Sequence, residues 1–211
     1  MIQKIAAKRI VPVVVLDDEE DAEPLAEALL AGGLDVIEIT FRTPAAEAAI
    51  QRITHAFPEV LVGAGTLLEW DHVTRAHAAG ATFGLAPGLN PTVVQRAHEL
   101  KLTFCPGIMT PSDVEAALRL GCHVLKFFPA MAAGGPAMLK ALAGPYAHTG
   151  VKFIPTGGIH QGNLHEFLQL PAVAAIGGSW MVERKLIAAG DWKEITRRTA
   201  EALASVSSNF D

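Results

Sequence analysis

Short runs of β-forming residues recur about every 20 to 28 residues along this chain, and each is followed by a stretch with helical spacing. The eight runs cover residues 11–16, 36–40, 60–64, 82–86, 102–105, 124–128, 151–154 and 173–176. Between them lie Ala-, Leu- and Glu-rich segments, among them residues 22–30, 45–53, 73–79, 91–100 and 112–120. Thr43-Pro44, Asn90-Pro91 and Thr110-Pro111 set a capping residue before a first-turn proline, and Gly32, Gly80 and Gly121 stand where helices should stop. Strands alternating with helices predict parallel β/α units, and eight such units predict an α/β fold of the closed (β/α)8 TIM barrel kind. The expected organisation is a single domain over residues 1–211. An open doubly wound sheet fits less well, because Leu16-Asp17-Asp18 after the first run is no glycine-rich dinucleotide turn. Pro12 conflicts with strand structure unless it sits at the strand's start, where its missing N–H breaks no ladder bond.

Composition narrows the partners. With 211 residues, half of them hydrophobic, the chain can bury a sizeable core, and a net charge of -5 offers no basic surface for nucleic acid. Cys105 and Cys122 are too few for a disulfide framework and suit a reducing cytoplasm. Lys4, Lys8 and Arg9 before an apolar run mimic a signal peptide, but the acidic cluster Asp17-Asp18-Glu19-Glu20-Asp21 follows, which suits the first turn of a helix. Every apolar stretch is interrupted short of the roughly 20 residues a spanning helix needs, so no membrane partner is expected.

Pro87, Pro106, Pro129 and Pro155 directly follow predicted strands and mark what would be the catalytic rim of a barrel. Lys126 lies in such a strand, in His123-Val124-Leu125-Lys126-Phe127-Phe128-Pro129, where alternation puts Val124, Lys126 and Phe128 on one face. An amine desolvated there loses proton affinity and gains the nucleophilicity a Schiff base requires; a lysine that snorkels to the rim or pairs with a carboxylate fits the strand equally well. Lys152, at a strand's beginning, is the internal control, with a solvated or ion-paired amine expected. Glu38, the lone charge of Val36-Ile37-Glu38-Ile39-Thr40, calls for a cation or a catalytic reason, and a plain ion pair with Lys126 satisfies the first. Arg42, just beyond, is placed to fork onto a carboxylate or phosphate.

Glycine-rich strand ends form a second constellation: Val62-Gly63-Ala64-Gly65-Thr66, Pro155-Thr156-Gly157-Gly158-Ile159 and Ile176-Gly177-Gly178-Ser179-Trp180. The last two follow the seventh and eighth predicted strands, the usual place for a barrel's phosphate cradle. The eight histidines fall mainly in predicted helices or loops, without metal-site spacing, so neither a metal nor an organic cofactor is expected.

These segments, with Pro87-Gly88-Leu89, Pro106-Gly107-Ile108 and Lys126-Phe127-Phe128-Pro129-Ala130, resemble in order and spacing the 2-dehydro-3-deoxy-6-phosphogluconate (KDPG) aldolases, some of which also act on 4-hydroxy-2-oxoglutarate. The resemblance implies a homotrimer of barrels acting on pyruvate and a phosphorylated keto-deoxy sugar acid. It implies a Schiff-base Lys126, a proton-transferring Glu38, and ketoacid-carboxylate contacts from Arg42, Thr66 and Thr156. It also implies a phosphate site at Gly157, Gly158, Gly178 and Ser179, and an apolar wall at Pro87 and Phe128. Ala86 and Met131 depart from the family pattern, which leaves open the choice between gluconate- and galactonate-derived substrates. Two other functions fit the residues: a phosphosugar isomerase or epimerase using Glu38 as a carbon base, and a non-catalytic phosphosugar-binding barrel with a structural Glu38–Lys126 pair.

Overall fold

The computed structural model describes residues 2–207. Its strands are β1 (Ile10–Val14), β2 (Val36–Thr40), β3 (Leu61–Gly65), β4 (Phe83–Leu85), β5 (Thr103–Cys105), β6 (Gly107–Ile108), β7 (Val124–Phe127), β8 (Lys152–Pro155) and β9 (Ile176–Gly178). Helix α1 (Ile2–Lys8) precedes them, and α2 (Ala22–Ala31), α3 (Ala46–Ala56), α4 (Trp70–Ala78), α5 (Pro91–Glu99), α6 (Pro111–Arg119), α7 (Gly135–Ala143), α8 (Leu164–Leu168), α9 (Arg184–Ala188) and α10 (Trp192–Ser207) lie between and after them. Two of the three predicted start signals cap a helix; Thr43 does not, since its hydroxyl donates to the Leu16 carbonyl and α3 begins only at Ala46, behind an Ala45 that has no side chain to cap it. Asn90 accepts a hydrogen bond from the Thr92 N–H ahead of Pro91, and Thr110 with Asp113 closes a reciprocal capping box around α6. The acidic cluster forms a 3-10 turn, Glu19–Asp21, that leads into α2.

The closed eight-stranded TIM barrel expected from the sequence is not formed. The strands make two parallel sheets instead, one of six strands in the order β5-β4-β3-β2-β1-β9 and one of three in the order β6-β7-β8. Pro106 is the cause at one seam. It has no N–H to donate, and it separates β5, which pairs with β4, from a short β6 beyond it that the sequence did not foresee and that pairs with β7. At the other seam β8 meets the chain around β9 only through isolated bridges, Phe153 to Val173 and Thr156 to Gly177.

Two further expectations need correction. Pro12 is the third residue of β1, an inner strand, and not its start. It is tolerated because of ladder phase. The Ile176 N–H donates to the Arg9 carbonyl, so alternation turns the Val11 and Val13 amides toward β9 and the missing one of Pro12 toward β2, where pairing begins only at Val13. Helix α1 went unforeseen because its few apolar residues look like a leader to the strand. Among the described residues no helix is long and apolar enough to cross a membrane.

Both sheets face one interior. Val11, Val36, Phe83, Leu85, Cys105, Ile154 and Ala175 pack there in one cluster, and α1 closes its lower end with buried Ile5, while the helices cover the outer faces through a larger core. Lys4 and Lys8 hold α1 in place by pairing with Asp35 at 3.2 Å each. Since Ile5 is 1% exposed, Ile5→Ala removes transfer energy and leaves a cavity, an expected loss of about 2 to 4 kcal/mol. A shift of the urea midpoint at unchanged slope measures it, and a loss under about 0.5 kcal/mol, the size of an ordinary surface substitution, would show that α1 is no plug.

Candidate active site

Val36 and Val124 point into the interior, so alternation aims Glu38 and Lys126, two residues further along β2 and β7, the same way and one layer higher. The two side chains meet there. Lys126 Nζ donates to Glu38 Oε1 at 3.1 Å, with Glu38 1% and Lys126 5% exposed. Among the described residues they are the only charged side chains that are buried. Each ion has lost hydration that their attraction must offset, so the removal of either would strand an uncompensated charge. Cys105, also interior-facing, adds no third charge: burial, with Cys122 and Glu38 adding to it against Lys126, pushes its thiol up to about 12.

Room for the carboxylate comes from β3. Thr40 pairs with Gly65 in the β2–β3 ladder, and a Cβ at position 65 would lie 2.0 Å from Glu38 Oε1. The sequence presents Gly65 as part of a glycine-rich strand end; its work is to leave the space the carboxylate fills. Val13 is register-paired with Glu38, half-buried, and shares the strand parity of the interior-facing Val11. The Thr40 hydroxyl is already committed, donating to the Val14 carbonyl at 2.8 Å.

The other expected residues stand at or just past strand ends on the same rim. Arg42 follows β2, exposed, with no ion-pair partner among the described residues. Thr66 follows β3 at φ +58°, a left-handed conformation that costs a β-branched residue strain and is characteristic of functional turns. Pro87 follows β4 and Phe128 follows β7, both half-buried, the Phe128 ring centroid 5.7 Å from Lys126 Nζ. They share a cavity of about 310 Å³ with Leu89, Met109 and Pro129. Thr156 is buried at the end of β8, where a Cβ on Gly177 would come within 2.3 Å of its hydroxyl. Lys152, the control, is exposed at the start of β8 and donates to the Pro171 carbonyl at 2.9 Å.

The glycine pairs adjoin the β8–β9 seam. Gly157 and Gly158 have φ of +104° and +74°, and a Cβ on Gly158 would lie 2.8 Å from that of Met131, so the turn needs glycine there twice over. Ala130 and Met131 zip this turn to the loop after β7 by donating to the carbonyls of Thr156 and Gly157 at 2.8 and 3.0 Å. Alternation along β9 turns the Gly178 N–H toward β1 and leaves that of Ser179 on the β8 side. Neither the Gly158 nor the Ser179 N–H donates to another group among the described residues. Such unspent amides beside left-handed turns suit an anion. Among the described residues no group of three or more His, Cys, Asp or Glu is placed to hold a metal ion.

The family model for KDPG and KHG aldolase matches residues 1–198 of the chain. This protein belongs to that aldolase family. A Haemophilus influenzae protein named 2-dehydro-3-deoxy-phosphogluconate aldolase is 44% identical over 96% of this chain and 95% of its own length. The KHG/KDPG aldolase of Escherichia coli is 42% identical, over 92% of this chain and 90% of its own. Among solved structures, a Legionella pneumophila KDPG aldolase with pyruvate captured as a covalent carbinolamine matches with TM-score 0.90 and 41% identity, over 94% of this chain and 96% of that one. The family is one of lyases, and the buried lysine and carboxylate of this aldolase are the groups its chemistry has to account for.

Gly65→Ala tests the geometry of the pair. The added methyl pushes the carboxylate off Lys126, so aldol turnover is expected to fall by about 10²-fold or more, the lower range for a displaced acid-base group, while the chain stays folded by circular dichroism. Turnover within about threefold of the parent would mean that the pair tolerates displacement and is not the working unit.

Proposed function

We propose that this aldolase cleaves 2-dehydro-3-deoxy-6-phosphogluconate to pyruvate and glyceraldehyde 3-phosphate through a Schiff base on Lys126, and also cleaves 4-hydroxy-2-oxoglutarate to pyruvate and glyoxylate. The observation that carries the proposal is the buried 3.1 Å contact between Lys126 and Glu38, the only buried charged side chains among the described residues, in an otherwise apolar interior. The names of the Haemophilus and Escherichia relatives support the substrates, and the pyruvate carbinolamine in the Legionella enzyme supports the covalent step.

Glu38 takes a proton from the Lys126 ammonium, and the neutral amine attacks the C2 ketone. The carbinolamine hydroxyl leaves as water with the proton returned by Glu38, giving an iminium ion. Glu38, again a carboxylate, removes the C4 hydroxyl proton, C3–C4 breaks, and its electron pair flows into the iminium to form the enamine of pyruvate as the aldehyde departs. Glu38 then protonates C3, and water hydrolyses the imine. One carboxylate thus moves each proton in turn.

Around this pair Arg42, Thr66 and Thr156 hold the ketoacid carboxylate, and Pro87 and Phe128 wall the apolar side. The unspent amides of Gly158 and Ser179 receive the phosphate, and Gly157 and Gly178, without side chains, let the anion approach the backbone. A homotrimer of single-domain subunits in the cytoplasm, needing neither metal nor organic cofactor, completes the proposal. The gluconate-derived substrate is preferred over the galactonate-derived one because the relatives above carry that name.

Incubation with pyruvate and borohydride, followed by peptide mass mapping, is expected to place a reduced pyruvate adduct on the peptide bearing Lys126 and to yield none with Lys126→Ala. An adduct on Lys152, or none under conditions where substrate is cleaved, would contradict the proposal. The isomerase and the non-catalytic barrel would likewise leave no adduct.

A further inference from the structure

Helix α10 lies outside the rim, yet one of its side chains reaches the backbone of the segment that follows β9. Arg198 Nη1 donates to the Trp180 carbonyl at 2.8 Å and lies 3.3 Å from Glu183 Oε2, and its Nε donates to Glu194 Oε1 at 2.7 Å. The guanidinium is itself fixed. Its planar fork is spread over two carboxylates, and Arg197 grips the same Glu194 at 2.7 Å; hydrogen bonds from Arg197 and then Arg198 hold the Glu194 carboxyl down at about 2.

What it holds is the turn carrying Gly178 and Ser179. The Val182 N–H donates to the Ser179 carbonyl at 3.0 Å, and the Trp180 ring folds back so closely that a Cβ on Gly178 would lie 1.9 Å from it. Gly178 is itself anchored to β1 through its pairing with Pro12. Ser179, with its unspent N–H, is therefore strung between two fixed points, the β1 ladder on one side and the Arg198 contact on the other.

We propose that Arg198 is a positioning residue for phosphate recognition, which fixes the Trp180 carbonyl and so the orientation of the Ser179 amide, without touching substrate. This rests on the reading of the β8–β9 seam as the phosphate cradle. A charge-assisted hydrogen bond to a backbone carbonyl is directional, and its loss lets the turn rotate the amide away from the anion.

The test compares Arg198→Met, which keeps the stem and removes the donors, with Arg198→Lys, which restores a cationic donor, and with Gly158→Val in the cradle. Measured quantities are KM and kcat for the phosphorylated substrate and for 4-hydroxy-2-oxoglutarate, and inhibition by inorganic phosphate. Arg198→Met is expected to raise KM for the phosphorylated substrate and the phosphate inhibition constant about tenfold, the effect of one such contact, while kcat and both constants for the unphosphorylated substrate stay within about twofold. Arg198→Lys should recover part of that loss, and it carries the same comparison at smaller amplitude if the methionine variant does not fold. Selectivity in Gly158→Val but none in the Arg198 variants overturns the positioning role. No selectivity in Gly158→Val either overturns the cradle on which it rests.

Discussion

An ammonium and a carboxylate 3.1 Å apart, both more than nine-tenths buried, set the terms for everything around them. Both have given up most of their contact with water, and the low polarity of the interior that makes burying them costly also makes their attraction strong. Lys126 stands on the three-stranded sheet and Glu38 on the six-stranded one, so the two sheets must face each other across a common interior for the pair to exist. Val11, Val36, Phe83, Leu85 and Ile154 fill the same interior, with α1 as the stopper at its far end, and beside the pair Gly65 gives up a side chain to make space. An interior this apolar has no structural need of two charges. It is suited to a reaction in which the same proton crosses between them repeatedly.

The breaks between the sheets also have chemical consequences. A continuous ladder spends every amide on the neighbouring strand, whereas a seam leaves some over. At the β8–β9 seam the chain meets only at isolated bridges, and there the Gly158 and Ser179 amides remain unspent beside two left-handed glycines. The same irregularity that denies the molecule a closed barrel leaves free the amides to which the phosphate is proposed to bind. The surface behind it, at Arg198 and Glu194, is correspondingly rigid with charge-assisted bonds.

Local chemistry was legible from the residues. Asn90, Thr110 and Asp113 cap as their types dictate, and the lone charges in apolar strands singled out Glu38 and Lys126 as candidate partners, although the sequence left open which face of each strand turns inward. Long-range closure was not legible. The β/α repetition satisfies a closed barrel and an interrupted one alike, and the decision fell to Pro106 and to the short contacts between β8 and the chain at Val173, which depend on register rather than on composition. The role of Gly65 was hidden for a related reason, since it requires knowing that Thr40 is its ladder partner. Arg198 had no signal in the sequence at all, as one of two adjacent arginines in a polar helix.

The central claim is that Glu38 moves protons and does not merely neutralise Lys126, and Glu38→Gln separates the two while barely changing shape. Single-turnover measurement of both cleavage and borohydride trapping on this variant is the direct test. Turnover is expected to fall by about 10² to 10⁴, the usual size of a lost general acid-base group, with pyruvate still captured on Lys126 at a reduced rate. Turnover within about threefold of the parent would contradict the account, because an amide that cannot carry a proton would then serve as well as the carboxylate.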